Sequence, residues 1–522
     1  MELPVALLAL SFLFTTEALP HGEGKVSQNR TINWHPCPDV EGQVVEALGV
    51  PISLPFDCAS LPVPLDYTDP ESGTLDLALI RVNATQEPVL GSVLWNPGGP
   101  GGTGVENLAV QSEELIEVLG GQYNVVSWDP RGTGKTIPFD CGLAETAAVQ
   151  RRDADSLVRT NLTERFLNGG WDGAVSYAEA CYSTMNATGE LLGTAFVARD
   201  MVEIIDALGE DGLLRYWGLS YGTQLGSTFA AMFPERVERM LLDANINPHD
   251  YAVGHWGNYL VDADKTLLAF LDECAKAKDR CALAQYTGLT TAADLFEVLN
   301  AGLEPLLQNA TSGHEEGWLA YLSVKQYIYS RLYWPRLWPR LAETITGFLN
   351  GSLTDLPLPT PDPTREPYNL GVDSINGIRC SDALWRASSP EEILDQVEYQ
   401  ATVSESFSDV GYEHTWTCAA WKMEAKERYT GNFSARTKFP ILFVNGVFDV
   451  ATPLVSAFNA SAGFEDSVVL THNGYGHGLT AHPSLCTTRA VQAYFKDGVL
   501  PELGTICEPD VGAWDLLESS TE

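Results

Sequence analysis

Basic residues are scarce in this chain: 31 lysines and arginines face 69 aspartates and glutamates among 522 residues, a formal net charge of -38. A surface that negative repels phosphate backbones and anionic lipid, so nucleic acid and membrane are not expected as partners. The ordinary consequence of such charge is solubility. Long apolar runs are missing too. The run Leu3 to Phe14 is too short to span a bilayer, and no later stretch approaches the roughly 18 uninterrupted apolar residues of a membrane helix. No C-x-x-C pair and no H-E-x-x-H occurs, so zinc has no support and no cofactor is called for. There is no internal repeat, and the one biased tract is the short proline-rich run from Leu356 to Pro363.

The chain does carry the marks of export. Leu3 to Phe14, followed by Thr15-Thr16-Glu17-Ala18, reads as a signal peptide over residues 1–18, although its start bears Glu2 and no lysine or arginine. All ten cysteines follow it, an even number that suits an oxidising compartment. Nearest-neighbour pairing gives Cys37–Cys58, Cys141–Cys181, Cys274–Cys281, Cys380–Cys418 and Cys486–Cys507, one connectivity among those the sequence leaves open. Sequons stand at Asn29, Asn83, Asn161, Asn186, Asn309, Asn350, Asn432 and Asn459. Together these features predict a secreted, extracellular glycoprotein of a eukaryote.

With 45% hydrophobic and 19% charged residues, the composition is that of a globular protein large enough for more than one domain. From about 75 to 245, strand-like and helix-like runs alternate. Leu75 to Val82, Val89 to Trp95, Asn124 to Trp128, Leu213 to Trp217 and Val237 to Asp243 read as strands, and Ala198 to Leu208 as a helix. Such alternation predicts an α/β fold with a mostly parallel, doubly wound sheet covered on both faces. Long amphipathic stretches then follow, Leu260 to Ala277 and Ala292 to Leu307, with an aromatic segment from Trp318 to Trp338 read as helical core. Strands return at Pro440 to Asn445 and Ser467 to Thr471. The expected division is 19–245 and 431–522 as two parts of one sheet domain, with 246–430 as a large helical cap or lid insertion between them.

Gly218-Leu219-Ser220-Tyr221-Gly222 joins the strand Leu213 to Trp217 to a helix of small and apolar residues, Thr223 to Phe233. A G-x-S-x-G between strand and helix is a nucleophile elbow: the serine sits on a strained turn, and the glycines let the two backbones approach closely. A serine hydroxyl needs a base and a group to orient that base, here in the order serine, acid, histidine. Asp449 follows a strand, with Gly446 expected to let the chain turn over the strand end; His477 is bracketed by Gly476 and Gly478 just past the next strand. His472 and His482 are the other nearby histidines, and Asp243, ending the strand after the elbow, is the other candidate acid.

The oxyanion donors are read as the amides of Tyr221 and of Gly99, in the loop Asn96 to Gly104. That loop has no lysine after its glycines, as a phosphate cradle would. Asp129 and Arg131, in Asp129-Pro130-Arg131-Gly132-Thr133-Gly134, are expected to brace the loops as an ion pair.

Gly98 to Gly101, Asp129 to Gly134, Gly218 to Gly222, Gly446 to Asp449 and Gly476 to Gly478 resemble the motif set of the proline iminopeptidase and tripeptidyl aminopeptidase (TAP-like) branch of the α/β-hydrolases. The likeness extends to Ile378-Arg379-Cys380-Ser381-Asp382 and Cys418-Ala419-Ala420-Trp421. It implies a serine hydrolase with Ser220, His477 and Asp449 as triad and the Gly99 and Tyr221 amides as oxyanion hole. It also implies a peptide or small acyl substrate, with short N-terminal segments favoured and cap carboxylates binding the free ammonium. Pro97 departs from the pattern, since iminopeptidases carry a histidine there, and the ammonium-binding acids match no particular residue. A carboxylesterase or lactonase with the same triad is the second reading, and a catalytically inactive binding protein the third.

Overall fold

A computed structural model describes residues 31–38, 40, 42, 54–142, 163, 166–311, 315–352, 371–410 and 413–516. The signal segment, Asn29, Asn161 and the proline-rich run lie outside these residues, as does the side chain of Asn309.

One ten-stranded sheet organises the chain, in the order β1-β2-β3-β5-β4-β6-β7-β8-β9-β10. Its strands are β1 (His35–Pro36), β2 (Phe56–Pro64), β3 (Thr74–Val82), β4 (Ser92–Asn96), β5 (Asn124–Trp128), β6 (Leu214–Leu219), β7 (Val237–Asp243), β8 (Leu442–Phe448), β9 (Val468–Tyr475) and β10 (Ile506–Cys507). Pairing is antiparallel from β1 through β3 to β5 and parallel from β5 onward. The parallel strands are near-continuously apolar because both faces are covered. On one face Leu94, Val126, Tyr216 and Met240 pack under helices α3 (Thr194–Ala207) and α4 (Tyr221–Met232). On the other, Val93, Trp95, Val125 and Trp217 pack under α1 (Gly104–Val118) and α14 (Leu485–Asp497). Each buried Val or Leu side chain there contributes about 1.5–3 kcal/mol before the entropy of ordering is charged against it.

The fold is therefore the mostly parallel, doubly wound sheet that the alternation predicted, and the amphipathic stretches after it form helices. Between β7 and β8 run α5 (Pro248–Val253), α6 (Ala263–Ala277), α7 (Ala282–Thr287), α8 (Ala292–Thr311), α9 (Glu315–Leu332), α10 (Trp338–Leu349), α11 (Val372–Asp382), α12 (Leu394–Val403) and α13 (Glu413–Ala420). Leu267, Phe270, Leu271, Ile328, Leu332, Trp338 and Leu341 form a helical core that reaches Val450, in the turn after β8. A second cluster joins Cys380, Cys418 and Trp421 to Tyr221 in α4 and to Cys181 of α2 (Trp171–Met185), a helix between β5 and β6. Much of the aromatic segment is thus helical core, and the ring of Tyr333, itself packed against that core, also faces His477, centroids 4.9 Å apart.

The five disulfides close as nearest neighbours: Cys37–Cys58, Cys141–Cys181, Cys274–Cys281, Cys380–Cys418 and Cys486–Cys507. The sequon asparagines Asn83, Asn186, Asn350, Asn432 and Asn459 are all exposed. Among the described residues no helix is long and apolar enough to cross a membrane.

Candidate active site

The elbow is strained as its sequence requires. Ser220 has φ 57 and ψ -120, a region a residue with a Cβ rarely adopts and holds only when its surroundings over-determine it. Four contacts do so. Ser220 N–H donates to Asp243 O at 3.0 Å, and Ser220 O accepts Thr223 N–H at 2.8 Å and the Thr223 hydroxyl at 2.6 Å. Tyr216 OH donates to Gly222 O at 2.8 Å. The bracketing glycines serve close approach: a Cβ on Gly218 would stand 2.3 Å from Gly222 O, and one on Gly222 would stand 2.8 Å from Asn96 O.

His477 and Asp449 meet at the same end of the sheet. Asp449 Oδ2 lies 2.9 Å and Oδ1 3.0 Å from His477 Nδ1, with the carboxylate wholly buried. Its oxygens also accept the Ala451 and Thr452 amides, each at 2.9 Å, and the Thr452 hydroxyl at 2.7 Å. A proton on Nδ1 leaves Nε2 as the basic nitrogen. Burial of the imidazole opposes its charge, but the charge and hydrogen bond of Asp449, with a smaller push from Asp243, hold its pKa above the ordinary histidine value. Ring hydrogen bonds of His477 go to Asp449 and Thr452, and none among the described residues reaches Ser220 Oγ. Such contacts commonly close only around substrate. The loop nonetheless sits on the elbow: a Cβ on Gly478 would stand 2.7 Å from Leu219 Cδ1. Gly476 and Gly478 have φ +90 and +87, which glycine alone accepts without strain.

The glycine loop after β4 packs directly on the elbow. Sheet register sets Asn96 opposite Gly218, and Asn96 Oδ1 accepts the Gly98 amide at 3.0 Å. With φ +89, Gly98 comes so near that a Cβ on it would stand 3.0 Å from Tyr221 N. Among the described residues no hydrogen bond engages the Gly99 or Tyr221 amide, so both donors remain available for developing negative charge.

The alternatives go elsewhere. Asp243 accepts the Leu479 amide and the Trp217 indole rather than the imidazole. His472 Nδ1 meets Thr487 Oγ1 at 3.0 Å, and His482 accepts the Tyr475 amide and contacts Val511 O. Burial drives the His472 pKa down to about 4.

Two expectations need correction. Asp129 and Arg131 do not pair with each other. Arg131 forms a buried fork with Asp200, at 2.7 and 2.9 Å, and donates to Pro64 O and Leu65 O; Asp129 accepts the Val105 and Lys135 amides. The turn is thus tied to the end of β2, to α1 and to α3, where sequence proximity suggested one pair. Gly446 does not end its strand: β8 continues to Phe448, with the register against β9 shifting between Gly446 and Phe448. The triplet Gly134-Lys135-Thr136 in this turn does not make a phosphate loop: Asp129 stands where the first glycine would be, and among the described residues no helix follows it directly.

Cys141, Cys181 and Asp373 bring donor atoms close enough to suggest a metal, but both sulfurs are spent in a disulfide and Asp373 accepts Cys141 N–H and Tyr177 OH. Sequence reasoning missed Thr452, three residues after Asp449 and signalled only by the acid-x-x-threonine turn, and Tyr333, whose place on His477 has no local signal.

Residues 91–294 match the family model described as alpha/beta hydrolase fold, and residues 404–507 match that described as TAP-like protein. The chain is similar to a tripeptidyl aminopeptidase of Streptomyces coelicolor, 27% identical over 468 residues that cover 87% of this chain and 83% of the relative. It is similar to serine protease Hip1 of Mycobacterium tuberculosis, 26% identical over 91% of each chain. Carboxylesterase B of the same organism is 28% identical, covering 87% of this chain and 86% of its own.

Proposed function

We propose that this α/β-hydrolase, with its TAP-like C-terminal region, is a secreted serine hydrolase that removes short N-terminal segments from peptides through an acyl-enzyme. Ser220 Oγ attacks the scissile carbonyl while His477 Nε2 takes its proton. Asp449 stabilises the imidazolium, and the Gly99 and Tyr221 amides receive the oxyanion. His477 then gives the proton to the leaving amine, and water, activated in the same way, releases the acyl group. The observation that carries this reading is the 2.9 Å pairing of buried Asp449 with His477 on a loop seated against the strained Ser220 turn.

The peptidase half of the proposal draws support from the tripeptidyl aminopeptidase and Hip1 likenesses, and secretion from five disulfides with exposed sequons. An esterase reading is favoured by one specific observation, the similarity to carboxylesterase B, and uses the same groups. Chromogenic amides with free and blocked N-termini, beside simple esters, separate the two when assayed with the protein and its Ser220→Ala variant. Cleavage needing both a free amine and Ser220 supports the aminopeptidase. Ser220-dependent ester hydrolysis without amide cleavage replaces it with the esterase.

A further inference from the structure

Asp243 ends β7, in register with Leu219 of the elbow strand. Its backbone and its side chain face different parts of the site. The backbone carbonyl accepts Ser220 N–H at 3.0 Å, one of the contacts that hold the strained turn. Its carboxylate, only 2% exposed with the rest of the residue, accepts Leu479 N–H at 3.0 Å on Oδ1 and 3.2 Å on Oδ2, and Trp217 Nε1–H at 3.3 Å. Leu479 is two residues beyond His477. A buried carboxylate without donors is costly, so these bonds are a condition of the fold at this point and fix the loop firmly.

Backbone bonds tether the histidine loop elsewhere. Gly476 N–H donates to Phe448 O at 3.0 Å, and His477 N–H donates to Tyr333 O at 2.9 Å. Those anchors lie on β8 and on the helical insertion. Of the three, Asp243 alone also touches the nucleophile's own turn. A Cβ on Gly478 would stand 3.5 Å from Asp243 Oδ2, which shows how closely loop and carboxylate meet.

We infer that Asp243 is a positioning residue that ties the nucleophile to its base, one carbonyl setting Ser220 and one carboxylate setting the loop that carries His477. The inference rests on the Ser220–His477 reading above and gives Asp243 a task distinct from that of Asp449. The charged and titratable groups facing the imidazole are Asp449, Asp243 and, over its ring, Tyr333. Burial pushes the Asp243 carboxyl up to about 7, so it is only partly ionised where His477 titrates, and loss of that partial charge lowers the pH at which His477 becomes a base.

The test uses phosphonylation of the protein by a fluorophosphonate, which needs an activated serine but no known substrate. Asp243→Ala should lower the maximal inactivation rate about 10–100-fold with the half-saturation constant within about twofold, the signature of a misplaced base. Asp243→Asn retains an acceptor for Leu479 N–H and should recover much of that rate, with the acid limb of its pH profile displaced to lower pH. It also stands in for the alanine variant should that one fail to fold. Wild-type rates and an unmoved acid limb in Asp243→Asn overturn the inference. So does a near-normal Asp449→Ala beside an inert Asp243→Ala, which would make Asp243 the triad acid. Labelling that persists in Ser220→Ala refutes the Ser220 reading instead, and is scored separately.

Discussion

Gly98 lies so close to Ser220 that a Cβ built on it would stand 2.8 Å from the serine's own Cβ and 2.4 Å from Leu219 O. The second neighbour is backbone and cannot swing aside, and φ at Gly98 is +89. Gly98→Ala must therefore push the loop proposed to hold the oxyanion away from the elbow. Misplacing one donor of an oxyanion hole costs on the order of 10²–10³ in kcat. The variant should lose activity on that scale while keeping most of its thermal stability, since the loop is a local feature. Full activity in Gly98→Ala would remove the oxyanion role from this loop.

Asp449→Asn keeps shape but reverses the hydrogen-bond logic at His477 Nδ1. The Ala451 and Thr452 amides already donate to Oδ1, so the new amide group is driven to the Oδ2 side, where it opposes His477. The imidazole then favours the wrong tautomer, and a loss on the order of 10³–10⁴ in kcat follows. Steady-state kinetics on whichever amide or ester proves to be cleaved decides it. A loss below about tenfold would falsify the assignment of Asp449 as orienting acid.

Legibility in the sequence followed how local each signal is. The elbow was readable because one pentapeptide must satisfy a positive φ and two backbone approaches at once, leaving few residues that fit. Strand ends and glycines placed Asp449 and His477 on loops past their strands, and the structure brings the two side chains together. What could not be read is set by partners far along the chain: Arg131 reaches Asp200 and Lys426 reaches Asp66, and no spacing rule encodes either. The strand β2 escaped notice because Pro62 and Pro64 argue against a strand, yet it pairs with β3 along its whole length near the antiparallel edge, where missing donors are tolerated. Tyr333 packs against the helical core with other members of its aromatic run, and nothing local shows that its ring also faces His477.

The Arg131–Asp200 pair is wholly buried on both sides, and Tyr67 OH adds a bond to Asp200 at 2.8 Å. Removing one partner strands the other charge, which typically costs about 3–5 kcal/mol, whereas removing both by apolar groups is often close to neutral. Arg131→Met should thus lower the urea midpoint sharply, with Arg131→Met/Asp200→Leu recovering a part of the loss. Recovery stays incomplete because Pro64 O, Leu65 O and Tyr67 OH lose their partners as well. Equal loss in the single and double variants would show that the backbone bonds of Arg131, rather than its charge pair, set the cost.

Stability and activity should separate as pH falls. Burial raises the carboxyl pKa of Asp243 to about 7, of Asp382 to about 6 and of Glu114 to about 7. Each binds its proton more tightly folded than unfolded, so its contribution to stability is complete below the ordinary carboxylate range and is lost as pH rises through 6 to 7. His477, also raised, has the same sign for stability. In the proposed mechanism its sign for catalysis is opposite, because a protonated ring cannot take the proton of Ser220. Carboxylates held low by ion pairs, Asp57, Asp66 and Asp211, reverse the stability trend only below their ordinary values. Relief of repulsion among the excess acidic residues acts in the same direction as the buried carboxyls. The melting temperature should therefore climb between about pH 8 and pH 5, while kcat/KM falls over the lower part of that window, through a midpoint above the ordinary histidine value. A melting temperature and a rate that fall together on acidification would mean that these carboxyls are ionised and solvated in the folded protein.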